Sequence, residues 1–201
     1  MSDTAYHAGM RTLQDRFDSR RLADRLDERL GRSVFREEDR AFIESRTMFF
    51  LATADAAGRP DCSYKGGHAG FVRVVGADEL EFPSYDGNGQ FRSLGNVLAN
   101  AAVGLLFIDF ESPRRLRING HAALLDDPGA LARHHGAQVI VRVRASRIFP
   151  NCPRYIHRSA GAALSADVPR PGHEPPVAAW KSMPIVADVL PRPRRHGVPT
   201  R

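Results

Sequence analysis

Apolar residues recur at intervals of three and four through Met10, Leu13 and Phe17, and again through Leu22, Leu26 and Leu30. That spacing places side chains on one face of an amphipathic helix. Asp18 and Ser19 interrupt the series, which predicts two helices. A further start signal stands at Ser33: Glu37, Glu38 and Asp39 put negative charge into a first turn, and Phe42 and Ile43 supply an apolar face. A third helix is predicted to reach about Arg46.

From Met48 the period shortens to short apolar runs punctuated by turn residues, the pattern of an antiparallel sheet or barrel. Met48–Thr53, Asp61–Lys65, Phe71–Val75 and Leu80–Phe82 read as strands, with Gly58 and Pro60 in a hairpin loop and Gly66–Gly70 as a flexible connection. Between Asp86 and Asn100 a helical period returns, with Phe91, Leu94 and Leu98 as its apolar side and Gly87-Asn88-Gly89 as its entry loop. Val103–Phe110, Arg115–Leu125 and Gln138–Phe149 are the remaining strands, the last preceded by a short helix near Pro128–His135. At least six strands and one central helix make a barrel the economical fold. The expectation is a mainly β chain with some α: an N-terminal helical segment over 1–46 packed on a barrel domain over 47–150, and a partly irregular C-terminal arm over 151–201.

Length and composition narrow the class. The chain has 201 residues, 42% of them hydrophobic and 26% charged, which suits one globular core. No apolar run approaches the roughly eighteen residues of a membrane span, and the N-terminus lacks the apolar middle of a secretory signal. A cytoplasmic protein is the expectation. Cys62 and Cys152 form no C-x-x-C pair and read as buried or incidental thiols. The net charge of +6 raises the question of a polyanionic partner, but the basic residues are dispersed. Their one cluster, Arg192, Arg194, Arg195, His196 and Arg201, lies among prolines and reads as a solvated tail, which argues against nucleic acid. Trp180, the only tryptophan, sits on a Pro-rich arm beside Lys181, where it can pack on its own subunit or reach a neighbour's surface or ligand.

Self-contained catalytic motifs are absent: there is no H-E-x-x-H, G-x-S-x-G or P-loop, and no His spacing that defines a metal site. Anion-binding groups gather instead around two segments. Ser63 and Lys65 lie two residues apart on one strand face, and Lys65 is one of only two lysines among 29 basic residues. Asn88, Arg92, Ser93 and Asn96 gather where a helix begins and its backbone donors already favour negative charge. Each group alone also fits a solvated surface residue; together they describe a phosphate cradle.

Phe50-Leu-Ala-Thr-Ala54, Pro60-Asp-Cys-Ser-Tyr-Lys-Gly-Gly67, Gly87-Asn-Gly-Gln-Phe-Arg-Ser-Leu-Gly-Asn96, Val103-Gly-Leu-Leu-Phe107 and Arg115-Leu-Arg-Ile-Asn-Gly120, taken in order, resemble the pyridoxamine 5′-phosphate oxidase-related flavoproteins. The resemblance spans roughly residues 47–150. It implies a six-stranded antiparallel split β-barrel that dimerises and holds flavin mononucleotide (FMN) in clefts between subunits. Carried over, Arg92 is the leading phosphate contact, followed by Lys65 and Ser63, with Ser93, Asn88 and Asn96 as hydrogen-bonding partners; Trp180 is added from the arm.

The true oxidase has an Arg-Lys pair at the helix start where this chain has Arg92-Ser93, and its C-terminal substrate pattern gives way to Asn151-Cys-Pro-Arg-Tyr-Ile-His-Arg158. Vitamin B6 oxidation is therefore not implied. Arg154, Tyr155, His157 and Arg158 fit either a lid or substrate contact, or an ordinary surface connection. The resulting expectation is an FMN-dependent oxidoreductase acting on a small-molecule redox substrate. The alternatives are a non-catalytic binder of flavin or another phosphate-bearing ligand, and a deazaflavin- or haem-binding relative.

Overall fold

The computed structural model describes residues 6–85, 89–158, 176–177 and 179–190. It divides the chain into two units, Met1–Gly31 with Pro169–Arg201, and Arg32–Val168. The terminal Arg/His cluster and most of the Pro-rich arm lie outside the described residues.

The smaller unit holds α1 (Ala8–Arg16) and α2 (Arg20–Leu30), separated at Asp18, whose φ of 50° is left-handed. Leu22 packs with Val186 and Val189, and Leu26, Trp180 and Ile185 border this cluster. Arg25 fastens the segments by donating to the Ile185 carbonyl at 2.9 Å and pairing with Asp188. The α1 stripe of Met10, Leu13 and Phe17 stays 43–54% exposed, so its helical period is present without burial.

The larger unit begins with α3 (Glu37–Glu44), which starts four residues later than Ser33 suggests. The delay has a cause: Arg32 is held in an extended bridge to Ile148. Among the described residues seven strands follow: β1 (Met48–Ala54), β2 (Pro60–Gly66), β3 (Arg73–Val74), β4 (Glu79–Ser84), β5 (Ala102–Asp109), β6 (Arg114–Leu125) and β7 (Val139–Asn151). They form one antiparallel sheet in the order β2-β1-β5-β6-β7-β4-β3. Among the described residues no ladder joins the edge strands β2 and β3, so the barrel is split there. The resemblance implies six strands, but all seven apolar runs read in the sequence are present; the run Phe71–Val75 is the one most shortened, to Arg73 and Val74, which pair with Glu81 and Leu80.

Strand alternation fills the interior. Phe49, Leu51, Leu105, Phe107, Ile118, Val141 and Phe82 are almost wholly buried, each contributing about 1.5–3 kcal/mol through apolar burial. The Phe49 ring lies 4.9 Å from the rings of both Phe82 and Phe107, and α3 adds Phe42 and Ile43 to the same core. Opposite Asn119 and Gly120, which pair with Arg147 and Ala145, Ser146 is the extra residue of a β-bulge that bends β7 against β6. Only glycine fits at this point of β6, because a Cβ on Gly120 would sit 2.2 Å from the Arg144 carbonyl oxygen.

Two helices close onto this barrel, α4 (Arg92–Ala99) against β1, β2 and β6, and α5 (Pro128–Ala132) against β7. On α4 the buried residues are Ser93, Leu94 and Val97, whereas Phe91 and Leu98 are 53% and 77% exposed. The expected apolar face is thus correct only at Leu94. After α5, Arg133 binds the fully buried Glu81 carboxylate bidentately at 2.7 and 2.9 Å. Arg142 donates to it at 2.9 Å, and His134 Nε2 lies 3.3 Å away. Among the described residues no helix is long and apolar enough to cross a membrane.

Candidate cofactor site

The cross-strand register Phe49↔Lys65, Leu51↔Ser63 and Thr53↔Asp61 puts these three β2 residues on the face that in β1 carries core side chains. A strand with both faces in a core would be apolar here. On edge strand β2 the inward face is polar instead, and it opens into a cleft of about 360 Å³. Asp61, Ser63 and Lys65 line the cleft from β2; Gln90, Phe91, Arg92, Ser93 and Leu94 line it from the start of α4, and Ser84 and Tyr85 from the end of β4.

The α4 end is prepared for an anion. Phe91 occupies the N-cap position in a left-handed conformation, φ 47° and ψ 30°, and gives the first-turn N–H groups no side-chain cap. Such groups carry partial positive charge. A non-glycine residue held in this region stores strain of order 1–3 kcal/mol, a feature that recurs at ligand sites. Arg92 follows as the first helical residue, its side chain exposed on the cleft.

Lys65 is half-buried, and among the described residues its ammonium has no hydrogen bond or ion pair. Burial lowers its pKa below the ordinary 10.5, while the nearby Asp61 charge opposes that shift. An anion placed beside this ammonium would relieve the imbalance that burial creates. Ser93 is buried, with its Oγ 3.0 Å from Asp61 Oδ2 and 2.9 Å from Ser63 Oγ. Asn96, one turn on, donates from Nδ2 to Thr53 Oγ1 at 3.0 Å and so ties α4 to β1.

Of the residues singled out in the sequence, Ser63, Lys65, Arg92 and Ser93 therefore converge on one cleft. Asn96 serves the helix anchorage. Asn88 lies outside the described residues. Trp180 belongs to the helical unit, where it packs beside Leu22, Val186 and Val189, and the described wall of the cleft is built without it. Sequence reasoning missed Asp61, although extending the Ser63/Lys65 alternation by one step of two would have put it on the same face. Among the described residues no group of three or more His, Cys, Asp and Glu side chains is arranged for a metal ion, and the cysteines form no disulfide, Cys62 being exposed and Cys152 half-buried.

The sequence model for pyridoxamine 5′-phosphate oxidase matches residues 35–164. The chain belongs to this family. No curated protein matches it. Among solved structures, it is similar to HupZ of Group A Streptococcus, at 21% identity over 58% of this chain and 93% of that one with a TM-score of 0.46. An F420 reductase matches at 23% identity over 57% and 98% with a TM-score of 0.42. An FMN-binding protein from Syntrophomonas wolfei matches at 12% over 71% and 94% with a TM-score of 0.43. The family match covers the whole seven-stranded barrel and both walls of the cleft.

Proposed function

We propose that this member of the pyridoxamine 5′-phosphate oxidase family binds FMN in the β2/α4 cleft and acts as a flavin-dependent oxidoreductase on a small-molecule substrate. The observation that carries the reading is the convergence of the half-buried Lys65 ammonium, the Arg92 guanidinium and the uncapped α4 terminus on one cavity. A phosphate monoester matches that donor set in charge and in the number of acceptor oxygens. The flavin supplies two-electron transfer when bound; the protein's part is to neutralise the phosphate and fix the ring's position.

A single described chain offers about 360 Å³, at the small end for a complete cofactor site. Completion by a second copy is part of the proposal. The outer face of β1, β2 and β5 supports it: Phe50, Ala52, Tyr64, Cys62, Gly104 and Leu106 make an apolar surface that is half-buried or exposed. Tyr64, 62% exposed and edge-on to Phe50 at 6.3 Å, also borders the cleft, so a subunit seated on this face would meet the flavin.

The visible spectrum of freshly purified protein, followed by titration with FMN, tests the reading. A flavin spectrum or saturable uptake is expected, and a colourless protein that takes up no flavin overturns it. Anaerobic addition of a nicotinamide donor then separates an oxidoreductase, whose flavin bleaches within turnover times, from a carrier.

A further inference from the structure

The three oxygens at the floor of the cleft form a chain whose direction is fixed by counting protons. Ser93 Oγ touches both Asp61 Oδ2 at 3.0 Å and Ser63 Oγ at 2.9 Å. A hydroxyl carries one hydrogen, and an ionised carboxylate can only accept. If Ser93 donated to Ser63, its oxygen would face the carboxylate at hydrogen-bond distance with no proton between them. Both contacts are satisfied in one arrangement only: Ser63 donates to Ser93, and Ser93 donates to Asp61. Ser93 is buried, so water has little access to compete for either bond.

The consequence concerns what the cleft offers a ligand. With its proton directed inward, Ser63 turns lone pairs toward the cavity, and Asp61 adds a second acceptor beside it. In this arrangement Ser63 accepts from a ligand rather than donating to its phosphate. The lining thus combines cationic donors, namely Lys65, Arg92 and the first turn of α4, with acceptors, Ser63 and Asp61, joined to that same turn through Ser93. A bare phosphate satisfies the first and is repelled by the second. A phosphate carried on a chain of hydroxyl-bearing carbons satisfies both.

We infer that Asp61, acting through Ser93 and Ser63, sets the cleft's specificity for a phosphorylated polyol by keeping acceptors among the cationic groups for ligand hydroxyls. The inference rests on the proposal that FMN is the ligand, whose ribityl phosphate is such a chain, and adds which residues read the hydroxyls. Asp61 thus has a positive role in a site otherwise built for anions, since removing its carboxylate would strengthen attraction for phosphate but free Ser93 to donate to Ser63 and Ser63 to donate to the ligand.

The test compares FMN with its analogue in which the 2′, 3′ and 4′ ribityl hydroxyls are replaced by hydrogen, using dissociation constants from flavin-fluorescence titration. Wild-type protein should prefer FMN by roughly five- to tenfold, the net worth of one or two hydrogen bonds. In Asp61→Ala and Ser63→Ala the preference should fall toward unity, and in Asp61→Ala affinity for inorganic phosphate, measured by competition, should rise. Thermal melts confirm that each variant is folded, and the wild-type comparison needs no variant. Equal wild-type affinity for the two flavins, or a preference unchanged in both folded variants, overturns the inference and leaves the flavin reading standing. No binding of either flavin overturns both.

Discussion

Lys65 and Arg92 stand 27 positions apart in sequence yet line the same cleft, one from an edge strand and the other from the first turn of a helix. Arg92→Ala should therefore weaken FMN binding by about 1–3 kcal/mol, the range for a lost charge-assisted hydrogen bond. Arg92 is exposed, so the unfolding midpoint of the ligand-free protein should stay where it is. Titration of flavin fluorescence against both proteins checks this, and equal affinities remove Arg92 from the site.

Lys65 should behave differently, because its side chain is half-buried and its ammonium partly dehydrated. Burial lowers its pKa in the folded chain below the ordinary 10.5. Such a group favours the unfolded state while both forms are protonated. The ligand-free protein should accordingly gain stability as pH rises through the interval between the lowered value and 10.5. Lys65→Met should abolish that gain, leave the ligand-free protein at least as stable as wild type at neutral pH, and reduce FMN affinity. Thermal melts across pH, with and without FMN, measure all three effects; a variant less stable than wild type but unaltered in binding would make Lys65 a packing residue.

The Glu81 cluster predicts the acid limit of the fold. Burial alone would raise this carboxyl's pKa, but hydrogen bonds from Arg133, Arg142 and His134 outweigh it and bring the value from the ordinary 4.5 to about 2. The stabilisation is complete above 4.5 and is lost progressively as pH falls toward 2. His134, whose pKa burial lowers below 6.5, adds a smaller loss as pH drops through 6.5, since the unfolded chain takes up that proton first. Glu81→Gln should destabilise by about 3 kcal/mol, the low end for breaking a buried pair, and flatten the acid dependence between pH 4.5 and 2. Denaturant melts at stepped pH would show it; an unchanged acid slope would mean other carboxylates set the limit.

The barrel strands were legible because each alternates or runs apolar between turn residues, and Phe49, Phe82, Phe107 and Ile118 are buried where that pattern puts them. The α4 face was misread because Phe91 looks like a helical residue by spacing. It is a left-handed cap, and only the tertiary seat of α4 on β1 and β2 selects Leu94 and Val97 as the buried pair. Site chemistry divided the same way. Residue type and local position sufficed to single out Lys65 and Arg92. The Ser63–Ser93–Asp61 chain spans 32 positions between β2 and α4, and which way a hydroxyl points depends on a partner that no local window contains.

The outer sheet face offers a test of assembly independent of the cleft. Leu106 sits on β5 opposite Phe50 of β1, with its side chain on the face away from Leu105 and Phe107 in the core. A charge there leaves the interior untouched, so Leu106→Glu should fold with a near-normal melting temperature. Placed across an apolar interface between two copies, however, the carboxylate would be desolvated against an identical charge or against Phe50 and Tyr64, at a cost of several kcal/mol. Analytical ultracentrifugation should find wild type as a dimer and the variant as a monomer. Because Tyr64 borders both this face and the cleft, the monomer should also bind FMN more weakly although no cleft residue has changed. A dimeric Leu106→Glu protein with undiminished flavin affinity would place the interface on some other surface of the barrel.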